Sequence, residues 1–229
     1  MNGLALKKAR CERGLTQQQA AARLGVSQPY LALLENGKRE VTPQLARRAV
    51  RVLHVRPTVV PCDSSACDRR ATTDSLAKKL SALGFPGFQY MRAGWTRNPA
   101  EVLLDALRQD DLDSRVAEAL PWVLLNYPDL DRDWLLRETR VRNLTNRLGF
   151  VVSLAMQVEV RRARNTTAVY QRLAELEKLL KQSRLEAEFT FGSRLNSARQ
   201  QEWVRQNRSA QAEQWHVLTT WQPEHLQYV

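Results

Sequence analysis

The stretch TQQQAAARLGVSQPYLALLENGKR, Thr16–Arg39, predicts two short helices separated by a tight turn. Thr16 can cap the first helix with its hydroxyl, and Gln19 follows three residues later, which is the spacing of a capping box. The segment QQQAAARL is rich in strong helix formers. Gly25 comes directly after it, where a residue with a left-handed backbone commonly ends a helix.

The second helix of the pair begins at Ser27 and carries a narrow apolar stripe. Ser27 is a second N-cap, and Pro29 lies in the first turn, where a missing N–H costs no hydrogen bond. Leu31 and Leu34 recur three residues apart, so we expect both to face the domain interior. Asn36-Gly37 then ends the helix.

Helical patterns continue on both sides of this pair. Apolar residues before it recur at helical spacing as far as Leu15, and Thr42-Pro43 opens another helix that runs to about Leu53. Residues 4–53 therefore contain several short, capped helices with short connections between them. This organisation predicts a compact all-helical domain.

The excess positive charge of the chain is concentrated in this domain. The 229 residues carry a formal net charge of +11. Residues 1–57 hold 11 Lys and Arg against 3 Asp and Glu, whereas the remaining 172 residues hold 24 against 21. Such an asymmetry indicates that the N-terminal part binds a polyanion.

Residues 16–39 resemble the helix-turn-helix of the XRE family, the Cro and lambdoid-repressor type. The resemblance covers roughly residues 4–55 and rests on Thr16-Gln17, Ala20-Ala21, Gly25-Val26-Ser27, Leu31, Leu34 and Glu35-Asn36-Gly37-Lys38-Arg39. Ala20 departs from the pattern, since a larger aliphatic residue is usual there. The resemblance implies a lambda-repressor-like domain that binds double-stranded DNA in the major groove.

Contacts with DNA are expected from the second helix and from the residues around it. Side chains near the N-terminal end of that helix can reach base edges, and these are Gln28, Pro29, Ala32 and Leu33. Only Gln28 among them can hydrogen-bond a base, so we expect few direct base contacts and some dependence on DNA shape. Phosphate contacts are expected from Gln17, Ser27, Tyr30, Asn36, Lys38 and Arg39. For Tyr30 and Leu33, packing into the core is the alternative.

The whole chain is predicted to consist of a DNA-binding domain (1–57), a flexible linker (58–75) and an α-helical assembly or partner-binding domain (76–229). Residues 56–74 contain two prolines, several Ser and Thr residues and no periodic pattern. Cys62 and Cys67 lie in this stretch. They form either a metal or redox pair or two incidental thiols. The second interpretation is favoured because no further Cys pair or His cluster completes a metal site.

The C-terminal domain is predicted to contain larger helices. Apolar spacing of three and four residues predicts helices over 75–83, 131–164, 166–188, 197–207 and 209–219, and Pro121 lies inside a helix or between two. The pair at 131–188 suits an antiparallel hairpin or a dimer seam. No strand alternation is evident. All six tryptophans lie in this domain, where core packing is favoured and a partner interface is the alternative.

No catalytic, cofactor or metal site is predicted. The three histidines (His54, His216 and His225) stand apart, and no glycine-rich phosphate loop occurs. Asp129–Asp133 lacks the turn glycine of a calcium loop, so helix capping explains this acidic run better. We therefore expect that the protein is not an enzyme. No secretory signal and no membrane-spanning apolar run is evident, which predicts a cytoplasmic protein.

Three functions fit these features. The favoured one is a sequence-specific transcriptional regulator, a dimeric repressor on a two-fold operator, because one unit that reads few bases binds weakly. The alternative is an antitoxin-like autoregulator of a toxin–antitoxin or phage-defence operon, as proteins with this helix-turn-helix often are. Its C-terminal domain would bind a toxin-like partner protein. An enzymatic C-terminal domain of unfamiliar type is the least favoured.

Overall fold

The structure of the protein, a computed structural model, describes residues 1–64, 71–92, 96–163 and 167–228. This part of the chain is mostly helical, and the prediction of an all-α protein is confirmed. The helices are α1 (Gly3–Glu12), α2 (Gln17–Leu24), α3 (Gln28–Glu35), α4 (Pro43–Leu53), α5 (Thr73–Leu83), α6 (Pro99–Leu107), α7 (Ser114–Asn126), α8 (Arg132–Val141), α9 (Thr145–Ala163), α10 (Ala168–Lys181), α11 (Ala198–Asn207) and α12 (Ala210–Gln214). Short 3₁₀ turns occur at Pro57–Val59, Pro86–Phe88 and Pro223–His225.

Buried apolar side chains form two separate clusters. The N-terminal cluster is built by α1 to α4 and includes Leu6, Ala20, Leu24, Leu31, Leu34, Ala46 and Leu53. The C-terminal cluster is larger and draws on α5 to α10 and on α12. A fully buried Leu contributes about 1.5–3 kcal/mol relative to an exposed one. Each part of the chain therefore has its own hydrophobic core.

Helices α9 and α10 pack against each other as an antiparallel pair. Ser153 on α9 donates a hydrogen bond to Glu177 on α10 (2.9 Å), and Thr167, just before α10, donates to Glu159 near the end of α9 (2.6 Å). The apolar stripe of α10 is buried in the C-terminal cluster and consists of Leu173, Leu176 and Leu180. The stripe is thus used within one chain, as the hairpin interpretation requires.

The single long helix predicted over 131–164 is wrong, because residues 142–144 divide it into α8 and α9. Asn143 has a positive φ of 56°. The amide of Leu144 donates back to the carbonyl of Thr139 (2.8 Å), which closes a left-handed cap at the end of α8. Asn tolerates this backbone better than most residues with a Cβ, so one asparagine is enough to end the helix.

The predicted helices at 166–188 and 209–219 are longer than the helices observed, which is a second correction. α12 has only five residues, and His216 beyond it takes a positive φ of 50°. The adjoining residues pair instead, because Phe189–Thr190 (β1) and Val217–Leu218 (β2) form a parallel two-residue bridge. Pairing this short leaves no periodic pattern in a sequence, so it escaped prediction.

Residues 56–64, here termed the strap, follow α4 and lie against the C-terminal part of the chain. Asp129, in the loop between α7 and α8, accepts hydrogen bonds from Arg56 (2.8 Å) and Thr58 (2.7 Å). The strap includes the first residues of the predicted linker, 58–75. Those residues have specific partners, whereas flexibility of the linker as a whole stays a prediction.

The far end of the strap is held by two buried or half-buried carboxylates. Glu101 on α6 accepts the amide of Asp63 (2.7 Å), and Glu138 on α8 accepts the hydroxyl of Ser64 (2.9 Å). The indole Nε1 of Trp134 also donates to the hydroxyl oxygen of Ser64 (3.2 Å). Helices α6 and α8 therefore both contact the segment that leads to the DNA-binding domain.

The cysteine hypotheses concern residues only partly covered by the structure. Cys62 is half-buried beside the C-terminal cluster, whereas Cys67 lies outside the described residues. Within the described ranges, no group of three His, Cys, Asp or Glu side chains is arranged to hold a metal ion. The acidic run at 129–133 has a structural role, since Asp131 caps α8 by accepting the amide of Trp134 (2.9 Å).

The tryptophans divide between the core and the surface. Trp134 and Trp215 are buried, Trp122 and Trp221 are half-buried, Trp203 is exposed, and Trp95 lies outside the described residues. Core packing therefore explains most of the described ones.

Pro121 lies within α7, which decides between the two predicted positions. No helix in the described part of the chain combines the length and the apolar character needed to cross a membrane.

Candidate nucleic-acid interface

The turn between α2 and α3 is fixed by capping residues on both sides. Thr16 accepts the amide of Gln19 (3.2 Å), and the side chain of Gln19 accepts the amide of Thr16 (2.9 Å), which completes the predicted capping box. Gly25 ends α2 with a φ of 64°. Ser27 begins α3 by accepting the amide of Tyr30 (3.3 Å). These local bonds set the angle at which α3 leaves the turn.

Helix α3 has one buried face and one exposed face. Leu31 and Leu34 are completely buried, and Gly3 of α1 lies so close that a Cβ there would come within 1.8 Å of the Leu34 carbonyl oxygen. The predicted base-contacting residues lie together on the other face: Gln28, Pro29 and Leu33 are exposed, and Ala32 is half-buried. Leu33 is 38% exposed, so it does not pack into the core.

Gln28 is the last member of a chain of side-chain hydrogen bonds that begins in the domain core. Its Nε2 donates to Oε1 of Gln17 (2.9 Å), and Nε2 of Gln17 donates to Oε2 of Glu35 (2.9 Å). Glu35 accepts Nε and Nη2 of Arg10 at 2.7 and 3.1 Å. Among the described residues, nothing else bonds the side chain of Gln28. Its oxygen and second N–H can therefore face a base.

The carboxylate of Glu35 is buried, and its charge is maintained by its partners. Burial by itself raises the pKa of Glu35, but hydrogen bonds from Arg10 and Gln17 outweigh it and leave the pKa below its ordinary value. Glu35 is therefore ionised at neutral pH. An ionised acceptor makes stronger hydrogen bonds than a neutral one, so Gln17 is held firmly.

Four of the predicted phosphate-binding residues are exposed around α3. Asn36, Lys38 and Arg39 follow the end of the helix, and Ser27 stands at its start. Neither Lys38 nor Arg39 forms an ion pair with any described residue, so both charges are available to a polyanion. The hydroxyl of Ser27 accepts the capping bond through its oxygen, which leaves its hydrogen to donate to a phosphate.

The other two predicted phosphate-binding residues are half-buried. Tyr30 packs against the N-terminal cluster, as its alternative role required, and its ring borders the space between α3 and α4. The side chain of Gln17 is engaged at both ends by Glu35 and Gln28. Its backbone amide, at the start of α2, remains suited to a phosphate.

Two interactions at this interface were not anticipated from the sequence. One is the contact between Arg10 and Glu35, which joins α1 to the end of α3 across 25 positions. The other comes from Arg48 on α4, whose Nη1 donates to the carbonyl of Leu24 (2.7 Å) just before the turn. Neither pair follows a local spacing rule. The sequence shows only that a carboxylate (Glu35) and two cations (Arg10 and Arg48) occur in these short helices, and it does not show which groups meet.

Comparison with known protein families agrees with this geometry. Residues 6–60 match the family model described as helix-turn-helix, which covers most of α1, all of α2 to α4 and the first residues of the strap. The C-terminal part has no family match. Comparison with curated proteins and with solved structures finds no match for the chain. The N-terminal domain is therefore an XRE-family helix-turn-helix domain, and the chain carries the DNA-binding unit of a regulator of that type.

Proposed function

We propose that the protein is a dimeric transcriptional repressor that binds a two-fold operator through the major groove. The observation that carries this proposal is the exposed face of α3, on which Gln28 is held by its chain of hydrogen bonds to Gln17, Glu35 and Arg10. A glutamine presented in this way can donate and accept at once, the geometry that suits adenine N6 and N7. Lys38 and Arg39 lie just beyond and would contact phosphates.

The proposal of a dimer follows from how little one copy can recognise. A good bidentate base contact discriminates by about 1–3 kcal/mol, and α3 offers only one residue capable of it. Two copies on half-sites one helical turn apart double the contacts. Because the apolar stripe of α10 is buried within one chain, we propose that the copies meet through another surface.

Selection of bound fragments from random DNA, with the full-length protein, tests the proposal. We expect an enriched site with two-fold symmetry and half-sites about 10 base pairs apart, together with reduced transcription of a reporter that carries it. Sedimentation at micromolar concentration should show a dimer. A monomer on an asymmetric site would contradict the two-fold proposal, and no enriched site would contradict sequence-specific binding.

An antitoxin-like role is the second candidate, and a surface groove on the C-terminal domain favours it. The groove is lined by Arg194, Leu195, Arg199, Trp203 and Val204, and the Trp203 side chain is 58% exposed. Trp and Arg dominate the binding energy of many protein interfaces. Co-purification from the host should recover a partner protein that Trp203→Ala loses and Gln206→Ala, on the same helix, retains. If both variants recover the partner protein, or if neither variant recovers one, the result would argue against this role.

We further propose that the chain acts by binding and not by catalysis. The histidines support this, because each has a local structural position. His54 ends α4 with a left-handed backbone, and Nδ1 of His216 lies 3.1 Å from the carbonyl of Leu185. The ring of His225 accepts the amide of Gln222 within the C-terminal 3₁₀ turn (3.2 Å). A reaction catalysed by purified protein, and lost on mutation of one of these residues, would overturn the proposal.

A further inference from the structure

A cavity of about 400 Å³ lies in the C-terminal domain, where the end of α6, the end of α8 and the start of α9 meet. Its lining includes Arg108, Arg142 and Arg147, one acidic residue, Asp110, and the apolar side chains of Leu144 and Phe189. This volume lies in the range typical of small-molecule sites. The lining contains three guanidinium groups and one carboxylate, and a second carboxylate, Glu138, pairs with Arg142 from outside the lining.

Arg147 is the most deeply buried charge in this cavity. The residue is only 7% exposed. Its Nη1 donates to the carbonyls of Leu107 (2.8 Å) and Gln109 (3.2 Å), and Nη2 donates to Asp110 (3.2 Å). Its Nε is buried and has no hydrogen-bond partner among the described residues. A buried cationic donor without a partner is costly, which indicates that a further acceptor belongs at this position.

The surroundings of Arg147 favour an anion as that acceptor. The carboxylate of Asp110 is 66% exposed, so water screens its pairing with Arg147. Arg147 itself lies in the first turn of α9, where the helix dipole also favours negative charge. Two apolar side chains also line the cavity, Leu144, which is buried, and Phe189, which is half-buried. The lining therefore combines cationic and apolar groups.

We propose that this cavity binds a small organic anion whose carboxylate or phosphate group lies on the arginines and whose apolar part lies against Leu144 and Phe189. The guanidinium fork matches the planar geometry of carboxylates and the oxygens of phosphates, and it makes paired, charge-assisted hydrogen bonds with both. This site goes beyond the proposed repressor function and does not depend on it, because the ligand binds away from the helix-turn-helix domain.

One carboxylate connects the cavity to the strap. Glu138 pairs with Arg142 of the cavity and also accepts the hydroxyl of Ser64 in the strap. An anion on Arg142 competes with Glu138 for the same guanidinium. Glu138 is the side chain that joins the cavity lining to Ser64, whose hydroxyl oxygen also accepts the indole N–H of Trp134.

Calorimetric titration of the full-length protein with phenyl phosphate and with benzoate tests the proposal, because each probe combines one of the two anionic groups with an aromatic ring. We expect saturable binding of at least one probe, and the preferred probe identifies the anionic group. Arg108→Gln and Arg142→Gln should each weaken binding by about tenfold, which corresponds to the loss of one charge-assisted contact.

Arg137→Gln is the matched control, since Arg137 is an exposed arginine of α8 outside the cavity lining and should leave binding unchanged. Circular dichroism checks that each variant is folded, and if one cavity variant unfolds the other carries the test. Absence of saturable binding for both probes at millimolar concentration would overturn the proposal. Equal weakening by Arg137→Gln would also overturn it, because binding would then reflect overall charge.

Discussion

The side-chain amide of Gln28 lies 2.9 Å from the side-chain oxygen of Gln17 and donates a hydrogen bond to it. This bond joins the exposed face of α3 to a buried ion pair, because Gln17 donates to Glu35 and Glu35 is paired with Arg10. A long polar side chain normally loses conformational freedom when it binds. Gln28 has part of that freedom removed before DNA arrives, which favours selective binding.

Replacement of Gln28 by Ala should remove most of the sequence preference. We expect affinity for the selected operator to fall by about 1–3 kcal/mol per half-site, while salt-sensitive binding to unrelated DNA remains. Fluorescence anisotropy with the operator and with a scrambled duplex measures the difference. Gln18→Ala is the control, since Gln18 is an exposed neighbour on α2 outside this hydrogen-bond chain. Unchanged operator selectivity in Gln28→Ala would show that the Gln28 side chain does not determine sequence preference by contacting a base.

Substitution of Gln17 by Ala separates two roles for this residue. If Gln17 acts by positioning Gln28, the variant loses affinity for the operator and keeps its affinity for scrambled DNA. If its side chain contacts phosphate, both affinities fall together. We expect the first result, because both ends of the side chain are already engaged. The same anisotropy titrations, at two salt concentrations, give the answer.

The ion pair of Glu35 should make the N-terminal domain sensitive to acid. The pKa of Glu35 is lowered from its ordinary value of 4.5. Its contribution to stability is therefore complete above that value and is lost as the pH falls through the lower pKa of the folded state. Glu35→Gln should lower the unfolding free energy by roughly 3 kcal/mol at pH 7 and weaken its decline in acid. Denaturant unfolding at pH 7 and at successively lower pH values measures both effects.

A suitable control for Glu35→Gln is Glu40→Gln, which changes an exposed carboxylate in the same domain. Its unfolding curve should match that of the unmodified protein at each pH. Equal acid sensitivity in the two variants and the unmodified protein would show that the acid response originates elsewhere.

Gly3→Ala should destabilise the packing of α1 on α3. An added Cβ would lie 1.8 Å from the carbonyl oxygen of Leu34, so the helices must separate. Overpacking of this kind costs about 1–3 kcal/mol, and operator affinity should fall as well because α3 moves. In Gly14→Ala the Cβ meets no atom within 4 Å, so only backbone strain remains. Thermal unfolding that ranks Gly14→Ala as the more damaging variant would contradict this account.

Removal of the Asp129 side chain should loosen the strap. Asp129→Ala deletes the acceptor of the Arg56 ion pair, and an exposed ion pair of this kind contributes about 0.2–1 kcal/mol. It also deletes the acceptor of the hydrogen bond from the Thr58 hydroxyl. Elastase, which cleaves after small aliphatic residues, should then cut the strap between Val59 and Val60 a few times faster than in the unmodified protein. Asp133→Ala, which removes a neighbouring exposed carboxylate, should leave the rate unchanged. Equally rapid cleavage in all three proteins would show that the whole linker is flexible.

The N-terminal domain was predictable because its signals are local. A cap, a turn glycine and the first turn of a helix lie within a few residues of one another, so Thr16, Gly25 and Ser27 specify the two helices almost independently of the rest of the chain. The contact of Gln17 with Glu35 is different. It depends on how two helices pack, and no spacing rule connects the residues in sequence.

The C-terminal domain shows where periodicity alone fails. Apolar residues continue at helical spacing from α8 into α9, so the pattern gave no sign of the break at Asn143. One residue with a left-handed backbone was sufficient to end the helix, and Val141 before it is 78% exposed. The pairing of β1 with β2 escaped for a related reason, since two residues are too few to show alternation.

In the proposed dimer, the docked strap also affects which operators the two copies can bind together. A flexible tether lets paired DNA-binding domains adjust to binding sites of different separation. A segment held by Asp129, Glu101 and Glu138 lacks that freedom. One inserted base pair rotates a half-site by roughly 35° about the DNA axis, given 10–10.5 base pairs per turn. The protein should therefore discriminate between operators by the length of their central spacer, even where both half-sites are intact.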